Sequence, residues 1–199
     1  MGACRASGRP VSLTRRRFAA TLDAMITGPT NRSYWVVRGT FAAGAYPGER
    51  DHTPGDRIEV VEQLLSAGIG DFVNLTEDRP GGTDAHLQHY DDAVDGRASV
   101  SRFEIRDVSI PTVENMVTIL DHIDRQLEAG IGVYVHCWGG VGRTGTVVGC
   151  WLIRHEHATR ENVLSHIAEL RRGDRGAGHR TSPQTDEQRK FIFDWQTGQ

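Results

Sequence analysis

The sequence predicts an α/β fold: one domain with a mostly parallel, twisted central sheet that is flanked by helices. Short apolar stretches typical of strands alternate with amphipathic stretches of helical period along most of the chain. Between residues 133 and 152 a strand pattern, a glycine-rich turn and a helical pattern follow one another directly. A chain of 199 residues with 38% hydrophobic residues also suits one sizeable core.

The first half of the chain predicts a basic extension and then a strand–helix–strand unit. Residues 1–30 are expected to be the extension, because the first seventeen residues contain five arginines and no acidic residue. A short helix is expected within it at 16–26, and the domain proper is expected to span residues 31–199. That domain opens with a strand at 34–41, an amphipathic helix from Pro54 to a stop at Gly68, and a strand at 70–76.

The second half of the chain continues the alternation. A short helix is expected within residues 86–95, a strand at 101–106, and a long amphipathic helix at 112–129 that Gly130 ends. A buried strand begins at Val133, and a helix follows the glycine-rich turn. Beyond it we expect a helix at 161–172, a basic glycine-rich loop at 171–180, and a final helix whose start pattern lies at 182–188.

The glycine-rich turn from Cys137 to Arg143, named here the cysteine loop, predicts an anion site. Glycines let backbone amides approach an oxyanion closely, and the helix that follows adds free N–H groups and the positive end of its dipole. That potential favours the thiolate form of Cys137, and the planar guanidinium of Arg143 suits two oxygens of a phosphate. The alternative, a structural cysteine in a simple turn, explains fewer of these features. The glycines are Gly139, Gly140, Gly142 and, just beyond the loop, Gly145.

The pattern His-Cys-x-x-Gly-x-x-Arg-Thr-Gly at residues 136–145 resembles the signature of the cysteine-based protein tyrosine phosphatase superfamily. The resemblance implies a tyrosine phosphatase-like fold, a phosphocysteine intermediate and a catalytic domain at 31–199. It also implies that His136 hydrogen-bonds the loop and that Thr144 donates its hydroxyl to the sulfur. The short chain is similar to the dual-specificity group of the superfamily. The substrate phosphate is then expected to contact Trp138, Gly139, Gly140, Val141, Gly142 and Arg143.

The leaving oxygen of a phosphate ester needs an acid to protonate it, and Asp107 is the leading candidate. It lies at a predicted strand end, opens a loop that Pro111 closes, and precedes the cysteine by 30 residues. The superfamily uses an Asp-x-x-x-Pro segment for this role, which Asp107 and Pro111 match. Asp78, in the loop after the strand at 70–76, is the competing acid. Glu77 and Asp84 are lesser candidates, and we expect both to be solvated.

The segment Gln184-Thr185-x-x-Gln188 resembles the glutamine loop of the superfamily. There, one glutamine aligns the water that hydrolyses the phosphocysteine and another supports the site. The competing interpretation is that Gln188 is only the capping-box partner that begins the last helix. The order of the motif, ahead of an aromatic-rich helix, favours the catalytic interpretation.

The resemblance favours a protein phosphatase that acts on phosphotyrosine, with phosphoserine and phosphothreonine as further substrates. Lipid phosphatases of the superfamily commonly carry lysines where this chain has Trp138 and Val141, but a phosphoinositide or another small phosphate monoester stays open as the alternative. A domain that binds phosphorylated partners without turnover is a third possibility. The arginines of the basic loop either add positive charge near the site or form a solvated loop. They are Arg171, Arg172, Arg175 and Arg180.

Composition narrows the partners and the compartment. A net charge of −3 and a pI near 6.3 give no reason to expect binding to nucleic acid or to an anionic membrane. Charged residues interrupt every apolar run well short of the roughly 18 residues that span a membrane. Three cysteines form no disulfide framework, and a working thiolate needs reducing conditions, which predicts the cytoplasm. His86 and His89 lack a third ligand at useful spacing, so no metal and no cofactor are expected, while the oligomeric state stays open.

Overall fold

The computed structural model describes residues 27–48 and 54–199, and five strands in this part of the chain form one sheet. The strands are β1 (Ser33–Val37), β2 (Phe41–Gly44), β3 (Ile69–Asn74), β4 (Ser99–Arg102) and β5 (Gly132–His136). They lie in the order β1-β2-β5-β3-β4, with β1 antiparallel to β2 and the other pairs parallel. The predicted α/β fold with a mostly parallel sheet is confirmed.

In the same described residues, six α-helices and one short 3-10 helix surround the sheet. Two helix starts follow directly from the sequence, because a threonine side chain caps each of them. Thr112 accepts a hydrogen bond from the Asn115 N–H at 3.1 Å, and Thr185 forms a capping box with Gln188. The helices are α1 (Pro54–Ser66), α2 (Asp91–Val94), α3 (Val113–Glu128), α4 (Arg143–Arg154), α5 (Val163–Leu170) and α6 (Asp186–Asp194), and the 3-10 helix is Arg171–Gly173.

Several element boundaries differ from the sequence prediction. The single strand expected at 34–41 is an antiparallel hairpin, because Gly39 adopts a φ of 82° and the Thr40 N–H bonds back to the Val37 carbonyl at 3.1 Å. The strand expected at 101–106 is Ser99–Arg102, and the helix expected within 86–95 is the single turn Asp91–Val94. The predicted basic extension lies mostly, and the helix at 16–26 entirely, outside the described residues.

Apolar side chains pack on both faces of the sheet, as a parallel strand flanked by helices requires. Along β5, Val133 and Val135 face a larger cluster, whereas Tyr134 faces a second cluster on the opposite side. Helices α3 to α6 cover the first face, and α1 and α2 cover the second. No helix in the described part of the chain is long and apolar enough to cross a membrane.

The long helix α3 shows how the periodic pattern becomes core. Its buried side chains recur at positions i, i+3, i+4 and i+7, which places them on one face of a helix. Burial of each such side chain contributes about 1.5–3 kcal/mol. This packing holds the carboxyl ends of β3, β4 and β5 together at one edge, where three loops meet. The four side chains are Met116, Ile119, Leu120 and Ile123.

Candidate active site

A cavity of about 240 Å³ lies above the cysteine loop, at the edge where the carboxyl ends of the parallel strands meet. Loops from three parts of the chain line it: the cysteine loop after β5, the loop after β4 that contains Asp107, and the segment before α6. A larger cavity of about 500 Å³ beside Arg32 and Tyr134 contains none of the predicted site residues. The predicted residues that line the smaller cavity are Asp107, Cys137, Trp138, Gly139, Val141, Gly142, Arg143, Gln184 and Gln188.

The cysteine loop has five successive carbonyl groups that all bond to donors outside the cavity. In a trans peptide the N–H points opposite to the C=O, so these bonds turn the N–H groups of residues 139–143 away from those donors. Such an array of amides, continued by the N-terminus of α4, binds an anion without any side chain. The pairs are Trp138 O with Tyr46 N at 2.9 Å, Gly139 O with Arg32 Nη2 at 3.3 Å, Gly140 O with Arg171 Nη1, Val141 O with Ser182 Oγ at 2.7 Å, and Gly142 O with Thr146 N at 3.0 Å.

Gly140 is the one predicted contact residue of the loop that does not line the cavity. Its φ of 67° lies in the left-handed region, and a Cβ there would stand 2.4 Å from the backbone carbon of Gly44 on β2. Glycine is therefore required at this position for the loop to pack on the sheet, and the residue serves the shape of the loop.

His136, at the end of β5, is fully buried and points away from the cavity. Its Nδ1 lies 3.4 Å from the Cys137 carbonyl oxygen and its Nε2 lies 2.7 Å from the hydroxyl of Tyr90. Because a carbonyl only accepts, Nδ1 carries the proton and Nε2 accepts from Tyr90. Burial lowers the pKa of His136 to about 3, so the ring is neutral.

Thr144, one residue into α4, is also fully buried. No hydrogen bond joins its hydroxyl oxygen to any of the residues the structure describes. The predicted donation of this hydroxyl to the cysteine sulfur therefore stays a prediction. A buried hydroxyl without a hydrogen-bond partner is costly, which is consistent with a hydroxyl that gains its partner only during the reaction.

Arg143 has its guanidinium buried between two carboxylates from different loops. The Asp84 carboxylate accepts hydrogen bonds from both Nη1, at 2.6 Å, and Nη2, at 3.1 Å, in a bidentate pair. Nη1 also donates to the Ile105 carbonyl at 3.0 Å, and Nη2 lies 2.8 Å from Oδ1 of Asp107. Nε takes part in none of these contacts.

Asp84 was expected to be solvated, and that expectation is wrong. Its side chain is 1% exposed, because it forms the bidentate pair with Arg143 and accepts from the Glu77 N–H at 3.0 Å. Burial raises the pKa of the Asp84 carboxyl, but the hydrogen bonds and the charge of Arg143 outweigh burial and hold this pKa below its usual range. Asp84 is therefore an ionised, permanent partner of the guanidinium.

Asp107 lines the cavity and contacts Arg143 through one oxygen, with 38% of its side chain exposed. Its N–H donates to the hydroxyl of Thr83 at 3.1 Å. The next residue, Val108, has a φ of 61°, which is unusual for a β-branched residue. The loop after β4 therefore combines an exposed carboxylate with a strained backbone.

Asp78, the competing acid, does not line the cavity. Its Oδ2 accepts from Asn74 Nδ2 at 2.8 Å, and its Oδ1 lies 3.6 Å from Arg102 Nε. Glu77 instead accepts from the hydroxyl of Thr83 at 2.9 Å. Both carboxylates organise the loop after β3, and of the candidate acids only Asp107 lines the cavity.

Gln188 forms the capping box, and its side chain also lines the cavity, while its catalytic role stays a prediction. Its Oε1 accepts from the N–H of Thr185 at 3.2 Å in the capping box, and its Nε2 donates to the Ser109 carbonyl at 3.0 Å. The side chain thus links the start of α6 to the loop of Asp107 while lining the cavity. Gln184 lines the cavity as well and is exposed.

The basic loop divides between the two sides of the cysteine loop. Arg180 lines the cavity and is exposed, so it adds positive charge near the site, which is one of the two possibilities that the sequence left open for this loop. Arg172 and Arg175 are exposed, whereas Arg171 is fully buried behind the loop. At the mouth, Trp138 is 39% exposed and the ring of His86 packs edge-on against it at 5.5 Å.

Sequence reasoning missed the long-range partners of the cysteine loop. Asp84 precedes Arg143 by 59 residues, and Arg32 precedes Gly139 by 107 residues. Neither residue belongs to a local motif, and no periodic pattern marks it. Only Arg171 stood in a segment already noted for its charge.

The arrangement supports attack by a sulfur nucleophile on a tetrahedral oxyanion. A cysteine lies at the base of an amide array, an arginine fork lies beside it, and a partly exposed carboxylate faces the same cavity. Among residues 27–48 and 54–199, no group of three or more histidine, cysteine, aspartate or glutamate side chains is placed to hold a metal ion.

Comparison with known proteins agrees with this geometry. The model of the family Tc-R-P, described as "Polymorphic toxin system, DSP-PTPase phosphatase", matches residues 53–157, just over half of the chain. The crystal structure of Tk-PTP in the active form is 26% identical, with a TM-score of 0.60 over 81% of this chain and 93% of that one.

Two curated relatives match shorter stretches. Phosphatidylglycerophosphate phosphatase PTPMT1 of Arabidopsis thaliana is 34% identical over 61 residues, which are 31% of this chain and 18% of that protein. The human dual specificity protein phosphatase CDC14A is 34% identical over 91 residues, 46% of this chain and 13% of the relative. The chain therefore spans less than a fifth of the length of either relative.

Proposed function

Because this chain belongs to the Tc-R-P family of DSP-PTPase phosphatases, we propose that it hydrolyses phosphate monoesters through a cysteinyl-phosphate intermediate. One observation carries the proposal: Cys137, Arg143 and Asp107 face a single cavity above an array of backbone amides. A domain that only binds phosphate has no need of the acid, so the presence of Asp107 favours turnover.

In the first step the phosphate dianion settles on the amides of residues 139–143, with further donors from Arg143. Nη2 is engaged by Asp107 in this structure, so the carboxylate leaves that donor when phosphate takes it. Asp84 keeps its bidentate pair throughout and holds the guanidinium in place. The exchange places Asp107 beside the leaving oxygen.

Chemistry follows in two balanced halves. The thiolate of Cys137 forms a sulfur–phosphorus bond as the ester phosphorus–oxygen bond breaks. Asp107, which takes up a proton from solvent once it has left Arg143, gives that proton to the leaving alcohol. A water that one glutamine of the pair Gln184 and Gln188 aligns, while the other supports the site, then attacks phosphorus, and Asp107 takes the proton of that water. The sulfur leaves as thiolate, to which the hydroxyl of Thr144 donates, and inorganic phosphate departs.

The substrate we propose is phosphotyrosine in proteins, with phosphoserine and phosphothreonine as further substrates. The exposed faces of Trp138 and Val108 at the cavity suit an aromatic leaving group. A lipid or small-molecule phosphate is the second candidate, which the similarity to the Arabidopsis phosphatidylglycerophosphate phosphatase and the exposed Arg180 support.

The same proposal includes the domain limits and the compartment. The catalytic domain would span residues 31–199, with residues 1–30 as a basic extension. A thiolate nucleophile requires reducing conditions, which points to the cytoplasm.

Hydrolysis of para-nitrophenyl phosphate by the reduced protein tests the mechanism. Cys137→Ser should bring the rate to background, whereas Cys150→Ala, which alters a buried thiol away from the cavity, should keep turnover. Inactive wild-type protein that still binds inorganic phosphate would overturn turnover and favour a binding module. A panel of phosphotyrosine, phosphoserine and phosphothreonine peptides, phosphatidylglycerophosphate and phosphoinositides then ranks the substrates.

A further inference from the structure

The back of the cysteine loop is closed by two arginines that come from opposite ends of the described chain. Arg32 donates from Nη2 to the Gly139 carbonyl at 3.3 Å, and Arg171 donates from Nη1 to the Gly140 carbonyl. Of the five loop carbonyls, these two alone accept from charged side chains, whereas the others accept from backbone N–H groups or hydroxyls. Charged donors form the stronger hydrogen bonds.

A single buried aspartate joins the two guanidinium groups. Asp174 accepts from Arg32 Nε at 3.1 Å and lies 3.8 Å from Arg171 Nη2, and both its side chain and that of Arg171 are fully buried. Two cations and one anion leave a net charge of about +1 behind the loop. The ring of Tyr34 lies under Arg171, with 5.7 Å from the guanidinium carbon to the ring centre.

The neighbouring phenol does not cancel this charge. Burial raises the pKa of Tyr34 to about 12, in spite of the opposing effect of Arg171, so the ring stays neutral at physiological pH. Where the proposed function needs a thiolate and a phosphate dianion side by side, a fixed cation behind the loop stabilises both.

We propose that Arg32 and Arg171 are positioning residues: they turn two peptide planes of the cysteine loop and place net positive charge behind its cysteine. The carbonyls of Gly139 and Gly140 share their peptide planes with the N–H groups of residues 140 and 141. Because the arginines hold these two carbonyls on the side of the loop away from the cavity, the two N–H groups point toward the phosphate. The inference rests on the proposed function, and it concerns residues that do not touch the substrate.

Two variants test the pair, and a third is the control. Arg32→Met is the main variant, because its side chain is 26% exposed and its loss should be tolerated by the fold. Arg171→Lys keeps one charge at the fully buried site but cannot serve two carbonyls with a planar fork. Arg154→Met is the matched control, since Arg154 forms partly buried ion pairs with Asp121 and Asp124 at the far end of α4.

The first readout is the rate at which iodoacetamide alkylates Cys137 as a function of pH, followed by mass spectrometry of its peptide. We expect the midpoint of this profile to rise by about one pH unit in Arg32→Met, to rise by less in Arg171→Lys because that variant keeps its charge, and to stay unchanged in Arg154→Met. The second readout is protection of the cysteine by inorganic phosphate. The phosphate concentration needed for half protection should rise by about tenfold to a hundredfold in the test variants.

The outcomes separate the two proposals. Wild-type protein that shows neither protection by phosphate nor turnover would overturn the proposed function itself. If wild-type protein is active and protected, but Arg32→Met and Arg171→Lys match Arg154→Met in both readouts, then the positioning role is wrong. Should Arg171→Lys fail to fold, Arg32→Met alone decides, and restored protection in Arg32→Lys would support the role of charge.

Discussion

Two carboxylates contact the same guanidinium, but they do so from loops of very different character. Asp84, from the loop after β3, is 1% exposed and holds Arg143 through two bonds of 2.6 and 3.1 Å. Asp107, from the loop after β4, is 38% exposed and makes a single contact of 2.8 Å. The first loop is saturated with internal hydrogen bonds, whereas the second carries a valine at a φ of 61°.

This difference in burial suits the two carboxylates to different roles, one in holding Arg143 and the other in the proposed reaction. Removing one partner of a buried ion pair leaves an uncompensated charge and is costly, while an exposed pair contributes little. Asp84 is therefore suited to fix the orientation of Arg143. Asp107 can leave Arg143 at small cost, as its proposed role as the acid that approaches the leaving oxygen requires.

The largest effect should come from substitution of Asp107, the carboxylate that can leave Arg143. Asp107→Asn should lower kcat on a phosphotyrosine peptide by about 10²–10⁴-fold, because the amide cannot give a proton to the leaving oxygen. The free energy of unfolding should change by less than about 0.5 kcal/mol, since the side chain is partly exposed. Steady-state kinetics and urea denaturation measure the two quantities. A large loss of stability with near-normal kcat would reverse the roles assigned to the two carboxylates.

Substitution of Asp84, the buried partner of Arg143, should instead have its main effect on stability. Asp84→Asn removes the buried counter-charge of Arg143, leaves only the partly exposed Asp107 beside the guanidinium, and should lower the free energy of unfolding by about 3–5 kcal/mol. Inorganic phosphate binding should weaken too, because the guanidinium loses its fixed orientation. Urea denaturation and phosphate protection of the cysteine check both, with Asp107→Asn as the paired comparison. Unfolding within about 1 kcal/mol of wild type would show that Asp84 is dispensable.

The buried side of the site should also be sensitive to acid through His136. Its pKa falls from 6.5 to about 3 because the ring is buried, so between these values the unfolded state binds a proton that the folded state does not. Stability should therefore fall as pH falls through this window, by up to about 1.4 kcal/mol per pH unit from this ring.

Urea denaturation of wild type and His136→Gln between pH 7 and 3 isolates the contribution of the ring. The difference between the two proteins should shrink as pH falls, while the exposed control His179→Gln should follow wild type throughout. Parallel curves for wild type and His136→Gln would show that the buried ring is not the source of acid sensitivity.

The smallest effect should come from Gln188, which links α6 to the loop that contains Asp107. Gln188→Ala should cost about 1 kcal/mol of stability through the capping box and lower kcat several-fold, because its bond to the Ser109 carbonyl is lost. Thr185→Ala removes the cap but not that bond. It should therefore match the loss of stability with little change in kcat. Equal kcat losses in the two variants would trace the effect to the helix start alone.

The sequence by itself determined the elements whose cause is local. Strand, turn and helix around Cys137 and Arg143 follow from a short apolar run, glycines and a helical period within about twenty residues. The caps at Thr112 and Thr185 follow from side chains that bond to amides three residues away. The end of the predicted strand and the spacing to the cysteine favour Asp107 over Asp78. The strand ends earlier, at Arg102, but Asp107 is the one of the two that lines the cavity.

Only the tertiary structure decided which distant groups surround the loop. Whether Asp84 meets solvent or Arg143 depends on β3 lying next to β5 in the sheet, and strand order is not written in any local period. The same holds for Arg32 and Arg171, which reach the loop from just before β1 and just after α5. Charged residues look solvated in a sequence because burial depends on a partner, and the fold brings that partner from far along the chain.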